Sequence, residues 1–488
     1  MIPPEGSTPH ASFPDAAYLV LSSRLIPDLD GGFTLATLAR ARQLADAGVA
    51  GGAGPLLLTV DPGTPAEHAR HRAVFAERGL VRHPERMRNL FDEAADARGG
   101  AADWLRQAAL TPAADPAAEA PAGAGEYRTI LGTDGAPVVG LPVIAGDPDW
   151  HISTAAVRVY GAGGALVGTL AGFGALYRAW LDHVVAGERA HTTATPAQVV
   201  VVCESRQLGE LLVSWPEPDA RIVHAIHTIH LEPPHTPDAA VNALWTRWLA
   251  VADRFDAVLW PTAAQRTDVV RRFGDAPGYV VAPHGVEVPS RGAAVAAVAV
   301  ERAASRVVML NRLAPGKRVD HAIRAFEAVR SVVPQATLDV YGEGAEQASL
   351  QRLIDDLGLA PSVRLRGRTD DPAVVLAEAT VFVSTSAYEG QGLALAEALA
   401  TGCPVVSYDA PYGPRELLAR GGGVLVPDGD ERALAEALLR VLQDAALRAR
   451  LSAEAVTAAR AVDPAHAAAA LAAACSMALA HPARRLRG

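Results

Sequence analysis

Lys317 is the only lysine among 44 Lys and Arg residues in this 488-residue chain. It closes the segment Asn311-Arg312-Leu313-Ala314-Pro315-Gly316-Lys317. That segment follows an apolar run, Arg306 to Leu310, and precedes an amphipathic pattern that predicts a helix from about Val319. An ammonium and a guanidinium five residues apart in a strand-to-helix loop suit a diphosphate. The ammonium supplies a point charge and the guanidinium a fork of donors. A second segment carries acids and glycines together: Ser384-Thr385-Ser386-Ala387-Tyr388-Glu389-Gly390-Gln391-Gly392-Leu393-Ala394-Leu395-Ala396-Glu397-Ala398. A strand ends at Ser384 and a helix begins near Leu393. Gly390 and Gly392 permit tight turns and close backbone approach. The free amides of that helix N-terminus are an anion site. Glu389 lies just before the helix and Glu397 about a turn and a half inside it. Two carboxylates so spaced could accept hydrogen bonds from hydroxyls of two sugars. The plainer reading is one dipole-favoured Glu and one structural Glu.

These loops need a scaffold of alternating strands and helices. Tyr18 to Ser22 reads as a strand, Thr34 to Ala47 as a helix ended by Gly48, and Pro55 to Val60 as a second strand. Gly31-Gly32 fall in the first strand-to-helix connection. Arg70 to Arg98 reads as a charged helix with seven arginines. Arg70, Arg72, Arg78, Arg82, Arg86 and Arg88 could form a landing strip for a polyanion. With Glu67, Glu77 and Glu85 among them, they read better as a solvated face. Ala108 to Gly125 is Ala/Pro-rich and reads as a loop. Two hairpins follow: Arg128 to Leu131 with Val138 to Leu141, and Ile152 to Tyr160 with Ala165 to Leu170. An antiparallel patch in an α/β chain predicts an inserted subdomain. Strands then recur at 198–203, 221–226, 257–260 and 279–282, and again at 306–310, 337–341, 363–366, 381–384 and 404–408. The expected linker lies near 291–302, and Asp463 to Leu479 reads as a last Ala-rich helix. The resulting scheme is an N-terminal domain over 15–295 with a β-rich insertion at about 127–170. A C-terminal domain over 303–462 and a helix and tail over 463–488 complete it. Ligands of such doubly wound sheets bind beyond the carboxyl ends of the strands.

Composition narrows the function. The net charge of -10 argues against a general nucleic-acid binder. Cys203, Cys403 and Cys475 lack metal or disulfide spacing and fit a reducing compartment. Met1 to Pro14 has neither a basic n-region nor an apolar core, so no signal peptide is expected. No apolar run reaches the roughly 20 residues of a spanning helix. The expected location is cytoplasmic, with peripheral contact at the inner face of the membrane left open.

The segment Glu389 to Glu397 resembles the glutamate-x7-glutamate signature of retaining glycosyltransferases of the glycosyltransferase 4 family. Asn311 to Lys317 resembles that family's diphosphate motif. Tyr341-Gly342-Glu343-Gly344 resembles the loop after the second strand of its donor domain, and Gly421 to Asp430 its C-terminal segment. The likeness is dense over 307–442 and looser over 18–285. Glu389 to Glu397, Pro404 to Asp409 and Tyr412-Gly413-Pro414-Arg415-Glu416 together resemble the subgroup that glycosylates poly(glycerol phosphate) or poly(ribitol phosphate) teichoic acids. Relatives in that subgroup add N-acetylglucosamine to serine-rich proteins. Gly31-Gly32-Phe33-Thr34 and His227-Thr228-Ile229-His230 resemble further subgroup motifs.

The resemblance implies the GT-B fold: two Rossmann-like domains facing a cleft, with a β-rich insertion in the first. It implies a nucleotide-sugar donor, expected to be UDP-linked, with no tightly bound cofactor and no metal, the cationic pair standing in for a divalent ion. It gives Arg312, Lys317, Glu389 and His227 catalytic roles. Gly32, Gly342, Gly390, Gln391, Gly392, Leu393 and Glu397 become donor contacts, with Glu397 on the ribose. His230 is the weaker member of its motif, and His284 reads as structural. The implied acceptor is a polyol-phosphate polymer or a Ser/Thr-rich protein, with homo-oligomerisation through the insertion and no nucleic acid partner. The rivals are a sugar-nucleotide 2-epimerase and a non-catalytic partner subunit. The latter would be expected to lose Arg312, Lys317, Glu389 and Glu397, all of which are present.

Overall fold

The structure, a computed structural model, describes residues 11–29, 31–96, 99–110, 126–144, 150–190, 198–287 and 305–487. The expected linker near 291–302 and most of the Ala/Pro-rich segment lie outside these residues. A seven-stranded parallel sheet forms the first half. From one edge to the other its strands are Tyr279–Val281, Ala257–Trp260, Ala220–Ala225, Val199–Cys203, Ala17–Ser22, Leu56–Thr59 and Met87–Asn89. Val199 to Cys203 is buried throughout. Helices cover both faces of the sheet, so its central strands are continuous apolar runs. The second half is a six-stranded parallel sheet. Its order is Val363–Gly367, Thr337–Tyr341, Arg306–Leu310, Val381–Ser384, Val405–Tyr408 and Gly423–Val426. Each sheet carries a separate apolar core on each of its faces.

Each order reverses between two adjacent strands. In the first sheet these are Ala17–Ser22 and Val199–Cys203, and in the second Arg306–Leu310 and Val381–Ser384. Loops leaving the carboxyl ends of such a pair diverge to opposite faces and open a crevice. The two chemistry-bearing segments of the sequence, 311–317 and 385–392, are the loops at the second reversal.

The insertion is a four-stranded antiparallel meander of Tyr127–Leu131, Pro137–Pro142, Val157–Tyr160 and Leu166–Leu170. Gly135 (φ 78°) turns the first hairpin, and Gly163 and Gly164 (φ 74° and 76°) turn the second. Its inner face, including Val139, Val157 and Val159, joins one core of the first sheet.

The arginine-rich stretch differs from the expected single helix. A helix spans Pro65–Glu77 and ends before Gly79 (φ 66°). A short turn at Pro84–Arg86, the edge strand Met87–Asn89 and the helix Leu90–Ala94 follow. Nor do its arginines form an open strip. Arg72 pairs with Asp92, Arg78 with Asp28, Arg82 with Asp46 and Arg88 with Glu93.

The last helix, Pro464–Leu479, crosses back to the first sheet and buries Leu471, Ala474, Cys475 and Ala478 there. Arg485 then donates to the carbonyls of Trp215 (2.7 Å) and Ala220 (2.9 Å). The helical stretch Ala445–Leu486 has a mean hydropathy of 1.3 over its most apolar window, long and apolar enough to cross a membrane by length and composition. This exceeds what the sequence reading expected. Alanine makes the stretch apolar, and a 3-10 turn at Arg460–Val462 followed by Pro464 interrupts the helix.

Candidate functional site

The loop 311–317 is fastened at both ends. Asn311 N–H donates to the Tyr341 carbonyl (3.0 Å) and Leu313 N–H to the Glu343 carbonyl (2.8 Å). The Thr385 hydroxyl donates to the carbonyls of Lys317 (2.9 Å) and Arg318 (2.7 Å). Ala387 N–H donates to the Gly316 carbonyl (2.9 Å). The two reversal loops are therefore stitched together, and their side chains converge. Lys317 Nζ lies 2.6 Å from Glu389 Oε1, which also accepts from the Ser386 hydroxyl at 2.7 Å. Arg312 is exposed, and its side chain has no hydrogen bond or ion pair among the described residues. Gly392, at φ 88°, caps the helix Leu393–Ala400. The first-turn amides of that helix have no helical partner.

These groups border a cavity of about 430 Å³ between the two sheets. Gly32, Phe33, His227, Thr228 and His284 close it from the first half. Two glycines set the width of the cleft. A Cβ on Gly390 would lie 2.9 Å from the His227 carbonyl oxygen, and one on Gly32 would lie 3.2 Å from Leu393 Cδ1.

Behind the cavity wall lies a buried polar chain. His227 Nε2 is 2.6 Å from one oxygen of Glu204, and Arg40 Nε donates to the other at 2.7 Å. Arg40 Nη2 is 3.2 Å from His284 Nδ1. The rings of His227 and His284 stack with centroids 4.7 Å apart, and Phe33 meets His227 edge-on at the same distance. Burial pushes the Glu204 carboxyl up, but Arg40 and His227 more than offset this and hold it at about 2. Burial, with the charges of His227 and Arg40, keeps the His284 imidazole well below its usual value.

Arg312, Lys317, Glu389, His227, Gly32, Gly390, Gly392 and Leu393 thus all border the cavity. Three expected contacts stand elsewhere or face another way. Gly342 is not on the cavity wall. A Cβ there would lie 1.7 Å from the Asn311 carbonyl oxygen, so this glycine shapes the 311–313 turn from behind. Gln391 borders the cavity, but its amide is spent. It donates to the His284 carbonyl (2.9 Å) and accepts from the His284 N–H (2.6 Å), tying the 385–392 loop to the end of the first half. Glu397 sits beside the cavity rather than on its wall. Its carboxylate has no hydrogen bond or ion pair among the described residues, and burial pushes it up to about 7.

His230 is fully buried away from the cavity, stacked on Tyr412 and 3.5 Å from Asp268. Burial lowers its imidazole to about 4. The segment Tyr412 to Glu416 serves the contact between the halves. The Tyr412 hydroxyl donates to Asp268 at 2.6 Å, and Glu416 accepts from the first amides of the helix Ala263–Phe273. Sequence reading missed Ser386 and the Glu204–Arg40 pair. An acid placed directly after the apolar strand Val199–Cys203 was the available signal for Glu204.

Residues 299–457 match the family model described as Glycosyl transferases group 1. The chain is 34% identical over 201 residues to the poly(glycerol-phosphate) alpha-glucosyltransferase of Bacillus subtilis (strain 168), covering 41% of this chain and 29% of that protein. It is 29% identical over 205 residues to the poly(ribitol-phosphate) alpha-N-acetylglucosaminyltransferase of Staphylococcus aureus (strain COL), covering 42% and 40% respectively. The matches therefore span less than half the length of these relatives. Two solved structures share the fold. One is a mutant of S. aureus TarM in complex with fondaparinux, alpha-GlcNAc-glycerol and UDP, with TM-score 0.71, 17% identity, and 94% and 99% of the two chains covered. The other is the pneumococcal O-GlcNAc transferase GtfA in complex with UDP and GlcNAc, with TM-score 0.70, 16% identity, and 96% and 100% covered. The fold is GT-B.

Proposed function

We propose that this protein is a retaining glycosyltransferase of family 4 that moves a hexose or N-acetylhexosamine from a UDP-sugar to a hydroxyl of a polyol-phosphate polymer. The observation that carries the proposal is the convergence of Arg312, Lys317, Glu389 and the first-turn amides of 393–400 on one cavity facing His227. Arg312 and Lys317 would hold the diphosphate and stabilise the charge that grows as it leaves. Its arrival would replace Glu389 as the partner of Lys317, turning that carboxylate to the sugar hydroxyls. Glu397 would accept from the ribose. In the transfer step the bond from the anomeric carbon to the diphosphate oxygen breaks. The acceptor oxygen bonds to that carbon on the same face, and its proton passes to the departing phosphate.

The acceptor assignment draws on the names of the two teichoic-acid relatives. It draws also on a second cavity, of about 260 Å³, that adjoins the first through Phe33, His227 and Thr228. Arg24, Arg206 and Trp245 line it, and the Arg206 guanidinium lies 5.2 Å from the Trp245 ring centroid. Guanidinium forks and an aromatic face suit phosphates joined by polyols. A Ser/Thr-rich protein is the second reading, favoured by 26% identity over 238 residues to the GtfA subunit of the Streptococcus agalactiae UDP-N-acetylglucosamine–peptide N-acetylglucosaminyltransferase. On either reading the enzyme would work on the cytoplasmic side of the membrane. It would self-associate along the edge strand Tyr127–Leu131.

The test is initial rate on poly(glycerol phosphate) and on a Ser-rich peptide across a salt series. Polymer transfer that falls steeply with salt is expected, because exposed charge contacts are screened beyond roughly 8 Å at physiological ionic strength. Transfer to the peptide alone would reject the polymer reading.

A further inference from the structure

Glu204 is 2% exposed and Arg40 3% exposed, yet the pair reaches the cavity wall through His227. Burying such a pair is costly and by itself adds little stability. Its geometry, however, constrains one proton. An ionised carboxylate only accepts hydrogen bonds, and Arg only donates them. The 2.6 Å contact from Glu204 to His227 Nε2 therefore needs the ring proton on Nε2. In the neutral ring Nδ1 then carries a bare lone pair. Nδ1 has no hydrogen-bond partner among the described residues, while the ring borders both the donor cavity and the adjoining one. The partner that suits a lone pair there is a hydroxyl, since a phosphate oxygen or a carbonyl has no proton to give. Arg40 also donates toward His284 Nδ1, and the His284 ring is stacked flat against His227. Both ring orientation and proton position are thereby set from behind.

We propose that Glu204, anchored by Arg40, is a positioning residue that fixes His227 as its Nε2–H tautomer, so that Nδ1 accepts a hydrogen bond from a substrate hydroxyl. The identity of that substrate rests on the glycosyltransferase reading.

The decisive variant is Glu204→Gln. Its amide has one oxygen and one NH2. Arg40 can only donate, so it takes the oxygen, and the NH2 must face His227 Nε2. The ring proton then moves to Nδ1, and a substrate hydroxyl meets a donor where it needs an acceptor. Nitrogen-15 NMR of the ring, assigned with His227→Ala, reads the tautomer directly. The expected result is Nε2–H in the wild type and Nδ1–H in Glu204→Gln. Donor turnover is followed as UDP release from UDP-glucose and UDP-N-acetylglucosamine. Glu204→Gln should lower kcat about as much as His227→Ala, on the order of a hundredfold. The double variant should be no worse than His227→Ala, and Glu204→Asp should recover part of the loss. A purely structural Glu204 would instead add its loss to that of His227→Ala.

If Glu204→Gln does not fold, the wild-type spectrum decides alone, and an Nδ1–H ring overturns the proposal. Calorimetry with UDP separates the two claims. UDP binding with an Nδ1–H ring, or with additive losses, rejects the positioning role only. Absence of UDP binding rejects the donor reading, and with it the proposed substrate hydroxyl.

Discussion

Glu397 offers a test in which pH and affinity must move together. Its carboxyl is raised by burial from 4.5 to about 7, with no partner among the described residues. A ribose whose hydroxyls donate to it selects the ionised form. Apparent donor affinity then scales with the ionised fraction, which is about nine-tenths at pH 8, about one-tenth at pH 6 and about one-hundredth at pH 5. The Kd of a UDP-sugar should therefore weaken about tenfold from pH 8 to 6 and about a hundredfold by pH 5. Titration calorimetry with intact UDP-glucose or UDP-N-acetylglucosamine is the assay, because the second ionisation of a terminal phosphate near pH 6 would confuse a titration with UDP itself. Glu397→Gln should bind about tenfold more weakly at pH 8, since a charge-assisted bond is replaced by a neutral one. Most of the pH dependence should disappear in that variant.

The stability of the empty protein should move the other way. The native state holds this proton more tightly than the unfolded chain, so stability falls as pH rises from 4.5 to about 7 and is level above that. The ionised carboxylate costs the folded protein at most about 3 kcal/mol, so Glu397→Gln should melt higher than wild type at pH 8. A wild-type Kd that is flat across this range, or matched in slope by Glu397→Gln, would refute the ribose role.

Lys317→Ala should lower turnover at saturating donor about a hundredfold, the loss of one charge contact that strengthens as the diphosphate leaves. Its ion pair with Glu389 is partly exposed, so melting should change by no more than about 1 kcal/mol; wild-type turnover in a folded variant would contradict the assignment. Gly390→Ala places a Cβ 2.9 Å from the His227 carbonyl oxygen and must push the two halves apart. Its kcat/KM should fall about ten- to a hundredfold with little change in melting temperature. Unchanged kinetics would mean that the cleft seen here is not the working one.

The parallel strands were legible in the sequence because burial on both faces makes them uninterrupted apolar runs. Arg306–Leu310, Thr337–Tyr341, Val381–Ser384 and Ala257–Trp260 stand where the pattern put them. The hairpins of the insertion were legible from their glycine turns. Met87–Asn89 was not, since a three-residue edge strand with a central Arg has no periodicity to read. In the site, Lys317 and Glu389 were visible as residue types, but the direction of a side chain was not. Gln391 turns its amide to the backbone of His284, and Gly342, expected as a donor contact, packs behind the 311–313 turn. Arg40 and Glu204 are 164 residues apart, and only the fold brings them together. The segment Tyr412 to Glu416 reads in sequence as an acceptor signature, yet its Tyr and Glu are spent on the other half of the molecule.

The central claim is that one cavity, bordered by Arg312, Lys317 and Glu389, holds a nucleoside diphosphate. Calorimetric titration of UDP into wild type, Arg312→Ala, Lys317→Ala and the double variant tests it most directly. The account predicts saturable binding to wild type, weakened at least about tenfold by either substitution and further by both, as expected for charge-assisted contacts to phosphate. No binding of UDP to the folded wild-type protein, or equal binding to the folded double variant, would contradict it.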